Sequence, residues 1–390
     1  MRVLFVTTRC PVPPWRGDQV RAYHHLRLLA PRHAITCCIL SWRRPPADAE
    51  AAVAALGVRV EVVPLGYAGA VPALAGALAG DSRPLQVLLF ARRRARARLA
   101  ALLAEPFDVV HAQLLRGLAD LEPGTRPLVV DLIDALSANT ARRAAVEGGL
   151  VAPLLAHEAA RLARAEAAIV ARGGPCLVVS ARERAALGGG ENVRVVPNGV
   201  DAAAFPYRPD GRPPARLVFA GNLGYFPNVD AAAWLARDVL PRVRAAVPAA
   251  ELLLVGARPA RRVRALADLP GVSLAAAVPD IAPELAAASV AVIPLRAGSG
   301  LQNKVLEALA TGTPVGRARC GHDGLDLRAG EHLLVAEDAA GLADATIALL
   351  RDAGRARALA RAGRELVERR YRWEDSAAGV ESAWMGVVQP

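Results

Sequence analysis

With 390 residues the chain is too long for one ordinary core and fits two domains of nearly 200 residues each. Hydrophobic residues make up 53% of it, ample for two cores, whereas aromatics are only 4%, which argues against a nucleic-acid binder built on base stacking. The formal charge of +11 is uneven: residues 1–195 hold 25 Arg against 16 Asp+Glu (+9), and residues 196–390 hold 23 Lys+Arg against 21 Asp+Glu (+2). An anionic partner or membrane surface therefore belongs with the first half. The five cysteines show no CxxC and no metal-ligand spacing, and most lie in apolar runs, so they read as core residues of a protein in a reducing cytoplasm.

From the start, short apolar runs alternate with helical stretches. RVLFVTT (2–8) is too short for a signal peptide and reads as a first strand. The loop CPVPPWRGD follows, then a helix from about Gln19 to Ala30. AITCCILS (34–41), VRVEVVP (58–64), DVVHA (108–112), LVVDLI (128–133), CLVVS (176–180) and VRVVP (193–197) continue the strand series. Most are continuous apolar runs, as expected of parallel strands covered on both faces. Residues 62–80 are uncharged but rich in Ala, Gly and Pro, which predicts a strand end and a short helix, with no transmembrane span. The basic run 91–105 predicts either a solvated helix face or a contact with lipid headgroups.

Asn198-Gly199 and YRPDGRPPAR (207–216) mark a break. The series then restarts with RLVFAG (216–221), ELLLVG (251–256), VSLAAAV (272–278), VAVIPL (290–295), TPVGR (313–317) and HLLVA (332–336). This pattern predicts an α/β protein of two tandem Rossmann-like domains, residues 1–205 and 206–371. A C-terminal helix, residues 372–390, has no strand to follow and is expected to pack back on the first domain.

The stretch VAVIPLRAGSGLQNKVLEALATGTPV (290–315) carries the most chemistry. A buried strand, a glycine loop and a helix closed by Gly312 and Pro314 form an anion site, because the first helical amides are unpaired and the dipole is positive there. Of the 48 basic residues one is lysine, Lys304, in the first turn of that helix. Glu307 lies three residues on, on roughly the same face. A cation beside a phosphate site and a carboxylate one turn deeper suit a nucleotide's phosphates and ribose hydroxyls; an exposed i,i+3 ion pair is the simpler alternative.

TTRCPVPPWRGDQVRAYH, FDVVHAQ, VVDLID, VVPNGVDAAAF, LVFAGNLGYFPNVDAAAWL, VPDIAPELAAASVAVIPL, GSGLQNKVLEALATGTPV and YRWED occur in this order over nearly the whole chain. With them the chain resembles the family 4 (group 1) glycosyltransferases of the GT-B fold, most closely the sugar transferases encoded with bacterial exosortase and exopolysaccharide systems. The resemblance implies a retaining transferase whose second domain binds a UDP- or GDP-linked sugar and whose first domain binds a glycan or lipid-linked glycan acceptor. It implies that Glu307 holds the ribose hydroxyls, that Gly298, Ser299, Gly300 and Leu301, with Gln302 and Asn303, line the donor, and that the loop at Gly17 approaches the diphosphate.

Three departures stand out. The family's paired glutamates are eight apart, and eight before Glu307 is Ser299. Many members place an Arg and a Lys on the diphosphate where this chain has Asn222 and Asn228. A histidine frequent near the transferred sugar aligns with Gln113, leaving His111 one pair back on the strand. With the usual cations absent, Lys304 is assigned to the diphosphate on its own chemistry, helped by Arg296. No DxD pattern is present, so no metal and no cofactor are expected.

In the first domain, Asp131 reads as a turn or helix cap, Asp18 as an N-cap, and His24 and His25 as structural residues. His111 and Asp134 are the acid–base candidates beside Lys304 and Glu307. The leading reading is a cytoplasmic glycosyltransferase, peripheral to the inner face of the membrane. A nucleotide-sugar epimerase or hydrolase of the same fold, or a non-catalytic nucleotide-sugar or glycan binder, are the alternatives.

Overall fold

The structure, a computed structural model, describes residues 1–121, 126–147, 149, 151–276, 278, 280–296, 302–319 and 324–388. The chain divides into two compact units, Met1–Pro197 with Ser376–Pro390, and Asn198–Asp375. The division falls after Pro197, a few residues before the expected boundary. From there the chain binds within the second unit: Val200 bridges Arg372, and the Arg208 amide donates to the Thr311 carbonyl.

In the first unit, β1 (Arg2–Thr7), β2 (Ala34–Ser41), β3 (Arg59–Pro64), β4 (Val109–Gln113), β5 (Leu128–Ile133), β6 (Cys176–Val178) and β7 (Val193–Val195) form one sheet. Its order is β3-β2-β1-β4-β5-β6-β7, and every pairing is parallel. Alternate residues of β1 enter different cores. Val3 and Phe5 pack with Leu26 and Leu29 of α1 (Gly17–Leu29), while Leu4 and Val6 pack with Leu99 and Leu102 of the basic helix. Burial on both faces is why these strands read as continuous apolar runs.

Further helices of this unit are α2 (Ala70–Leu78), α3 (Arg93–Leu103) and α4 (Val151–Val170). The α3 helix buries Ala95, Leu99 and Leu102 and turns its arginines outward. No helix among the described residues is long and apolar enough to cross a membrane.

In the second unit, β8 (Arg216–Ala220), β9 (Glu251–Gly256), β10 (Val272–Ala276), β11 (Val290–Ile293), β12 (Val315–Ala318) and β13 (Leu334–Ala336) form a parallel sheet of order β10-β9-β8-β11-β12-β13. The helices α5 (Phe226–Trp234) and α6 (Asn303–Ala310) follow β8 and β11. The last helix, α7 (Trp373–Val388), supplies Ala377, Val380, Ala383 and Trp384 to the core of the first unit. The fold is thus α/β, with two parallel sheets of 7 and 6 strands.

Candidate functional site

In an open parallel sheet, ligands bind outside the carboxyl ends of the strands where the order reverses. In the second unit that point lies between β8 and β11, so the loops opening α5 and α6 meet there. Backbone approach is close: a Cβ on Gly256 would fall 1.7 Å from the Gly221 carbonyl oxygen, and one on Gly221 would lie 3.0 Å from Lys304 Nζ. Glycine at both positions lets the lysine head sit against the strand end.

Lys304 is the second residue of α6. Its Nζ donates to Asn228 Oδ1 at 2.6 Å and lies 4.7 Å from the centre of the Phe219 ring. Asn228 Nδ2 donates in turn to the Asn222 carbonyl at 2.9 Å, and Asn222 Oδ1 accepts the Gly224 amide at 3.1 Å. The two asparagines standing where the resemblance led us to look for cations therefore build the seat of the lysine. Glu307 lies one turn deeper on α6, half-buried like Lys304. Burial pushes Lys304 down to about 8 against the pull of Glu307, and pushes Glu307 up to about 7 against the pull of Lys304.

The other donor-side residues fall into place unequally. Arg296 does not join Lys304 but is spent elsewhere: it pairs with Asp230 through two nitrogens, at 2.7 and 3.2 Å, and lies over the Trp234 ring. Gln302, just before α6, is buried with Oε1 unpartnered among the described residues. Asn303 Oδ1 accepts from Asn198 Nδ2 at 3.2 Å. Gly298, Ser299, Gly300 and Leu301 lie outside the described residues. Gly17 opens α1 in the first unit, with open space where a Cβ would stand.

The first sheet reverses between β1 and β4, and there a polar cluster gathers that the sequence reading passed over. Thr7 Oγ1 donates to Gln113 Oε1 at 2.9 Å, and Gln113 Nε2 donates to the Asp18 carbonyl at 3.0 Å. Arg116 donates to Thr8 Oγ1 at 2.8 Å and, with Arg9, to the Asp18 carboxylate. Asp18 is thus a shared counter-ion and not a helix cap. A glutamine closing an apolar strand was the available signal, because a buried amide needs partners. A cavity lined by Arg2, Thr36, Arg59, Glu105 and Phe107 lies at the opposite, amino edge of this sheet.

His111 and Asp131 are not where the sequence reading put them. His111 is fully buried, its ring stacked on Phe5 at 4.4 Å, and its Nδ1 accepts from Trp384 Nε1 at 3.1 Å. Burial lowers its pKa, and Nε2 faces Asp131 Oδ2 at 3.8 Å. Asp131 does not cap a turn: it pairs with Arg21 Nε at 2.6 Å, both side chains fully buried. In a sheet covered on both faces, a polar residue near a strand end can point into a core as readily as into a site. Asp134 does stand at the carboxyl end of β5, after Ile133 in the left-handed region (φ 65). Its Oδ1 is buried and unpartnered among the described residues, and burial together with Glu183 raises its pKa to about 7.

Residues 214–352 match the family model described as glycosyl transferases group 1. The second unit carries a group 1 glycosyltransferase domain. Among solved structures, the chain is similar to sucrose-phosphate synthase from Thermosynechococcus elongatus (17% identity, 99% of this chain and 98% of that one, TM-score 0.73). It is also similar to HepE of Anabaena in complex with UDP and glucose (15%, 99% and 100%, TM-score 0.67), and to WaaG, a glycosyltransferase involved in lipopolysaccharide biosynthesis (16%, 100% and 100%, TM-score 0.65). At such identities the likeness is one of fold, and it runs over both units, not over the glycosyltransferase domain alone. None of the curated proteins matches the chain in sequence.

Proposed function

We propose that the chain is a retaining, metal-independent hexosyltransferase that moves a sugar from a UDP- or GDP-linked donor to a glycan or lipid-linked glycan in cell-surface or exopolysaccharide assembly. It works in the cytoplasm, peripheral to the inner face of the membrane. The observation that carries this reading is the seat of Lys304: an ammonium group fixed on Asn228 at the carboxyl edge of the second sheet, above Glu307. The group 1 family match over residues 214–352 supports it. HepE, described in complex with UDP and with UDP-glucose, supports a nucleotide-sugar donor.

Lys304 has three donors, of which Asn228 takes one. The others meet the diphosphate, together with the positive end of the α6 dipole. Glu307, as a carboxylate, accepts from the ribose hydroxyls. When the bond from the sugar's anomeric carbon to the phosphate oxygen breaks, negative charge grows on that oxygen, and a fixed cation and a helix N-terminus stabilise it. The acceptor hydroxyl forms the new bond on the same face of the sugar, and its proton passes to the departing phosphate. Asp134, raised to about 7, keeps a share of its protonated form near neutral pH and in that form offers a hydrogen bond on the acceptor side.

The test is a thermal-shift and turnover panel. UDP or GDP should raise the melting temperature, since a ligand of the native state stabilises it. The matching nucleotide sugar should be consumed, faster with a glycan acceptor. If no nucleoside diphosphate shifts the melting point and no nucleotide sugar is turned over, the reading is wrong.

A further inference from the structure

The first unit exposes an apolar helix. The sequence of α2, AVPALAGAL, contains no polar side chain, and Val71 and Leu74 are 71% and 47% exposed; Tyr67, just before it, is 58% exposed. A water-facing helix ordinarily shows polar residues on its outer side. This one has none, and a cluster of exposed large apolar side chains marks a contact surface.

The surroundings name the partner. Tyr67 stacks on Trp42 at 5.6 Å, with the Arg43 guanidinium 5.3 Å from the Tyr67 ring centre. At the start of α2, a Cβ on Gly69 would fall 2.3 Å from Arg92 Nε, so Arg92 lies directly against that end of the helix. Arg93 and Arg94 follow at the start of α3, and both are exposed. At the far end of α2, Arg161 of α4 donates to the Ala77 carbonyl at 3.0 Å. Seven residues before Arg161, on the same stripe of α4, Leu154 is 70% exposed. Residues 42–98 hold nine arginines against four carboxylates. Three of those carboxylates, Glu50, Glu61 and Asp81, are paired with Arg44, Arg98 and Arg83.

We infer that Tyr67, Val71 and Leu74, fringed by Arg43, Arg93 and Arg94, dock the first unit on an anionic lipid surface. This rests on the peripheral-membrane part of the proposed function and gives it a place. An uncharged helix can sink to the headgroup–acyl boundary, and arginines at its rim meet lipid phosphates. A protein partner of ordinary composition would need an apolar patch matched to carboxylates; a bilayer with anionic headgroups supplies both layers, and the density of arginine favours it.

The test is sedimentation of the full chain with vesicles of phosphatidylglycerol and phosphatidylcholine, against pure phosphatidylcholine, at low and high salt. Binding to the anionic vesicles should weaken as salt rises. The double variant Val71→Glu, Leu74→Glu should lose roughly tenfold or more in partitioning. The triple variant Arg43→Gln, Arg93→Gln, Arg94→Gln should lose roughly a hundredfold at low salt. All three proteins should keep the same melting temperature and the same shift with UDP or GDP, so loss of lipid binding and failure of the donor reading are separable. The proposal is overturned if the wild-type chain stays in the supernatant at low salt, or if the glutamate variant sediments like wild type. It is equally overturned if light scattering shows a wild-type dimer that the glutamate variant dissolves, because the face then belongs to a second copy of the chain.

Discussion

Replacing Lys304 with alanine separates a catalytic cation from a structural one. In the structure the lysine is held on Asn228 at 2.6 Å, with burial bringing its pKa to about 8. A lysine lowered from 10.5 to about 8 is charged below pH 8 at a cost to folding of roughly 3 kcal/mol at most. The sign follows from linkage. The unfolded chain binds this proton more tightly, so the cost is complete below pH 8 and fades as pH rises toward the unfolded value. Against it stands one charge-assisted hydrogen bond, worth about 1.5–3 kcal/mol. The two nearly cancel, so Lys304→Ala should melt within a few degrees of wild type at pH 7. Activity has no such cancellation. Loss of one group that meets charge in the transition state costs about 3–4 kcal/mol, a hundred- to a thousandfold in kcat, with a smaller loss in donor affinity. Single-turnover kinetics with a nucleotide sugar, beside calorimetric melting and UDP titration, reads all three quantities. A variant of normal stability and near-wild-type turnover refutes the assignment. So does one that loses donor affinity while kcat stays unchanged, because Lys304 would then bind ground state and transition state alike.

The free-enzyme profile of kcat/KM should be bell-shaped with its maximum between about 7 and 8. It rises as Glu307 loses a proton and falls as Lys304 does, the two apparent values belonging to the pair. Glu307→Gln should abolish the acid limb and weaken donor binding, measured by titration with UDP. Asn228→Asp should lower turnover without unfolding the chain, because a carboxylate beside Lys304 would occupy the charge meant for the diphosphate; unchanged kcat would count against the seat. Arg21→Ala should destabilise the chain by about 3–5 kcal/mol in urea unfolding, since it leaves Asp131 buried and unpaired. EDTA should leave the transfer rate essentially unchanged, and a rate that collapses and returns with Mg²⁺ would show that the leaving group is met differently.

The thirteen strands among the described residues were readable in the sequence, and the parallel, doubly covered sheets followed from most of them being continuous apolar runs without alternation. Lys304 was readable because it is the one lysine among 48 basic residues, at the start of a helix after a glycine loop. What the sequence hid were partners far along the chain. Asn228 and Lys304 stand 76 residues apart, Arg21 and Asp131 110, and His111 and Trp384 273. Each of these polar residues has a reasonable local role, a cap, a turn or a cleft position, and only tertiary packing decides against it. Asn222 and Asn228 looked like losses of charge relative to the resemblance. The structure makes them the support for a cation delivered from a different helix.

The position of α7 bears on the order in which the molecule is made. Trp384, Ala383, Val380 and Ala377 belong to the same core as Val3, Phe5 and Val109, and the Trp384 indole donates to His111 Nδ1. During synthesis the first two hundred residues emerge early, with their sheet strands in hand but one wall of that core still on the ribosome. The second unit, contiguous from Asn198 to Asp375, has all its strands before that wall arrives. The half that is translated first is therefore the half whose interior closes last, and until then it depends on shielding from solvent and from other chains.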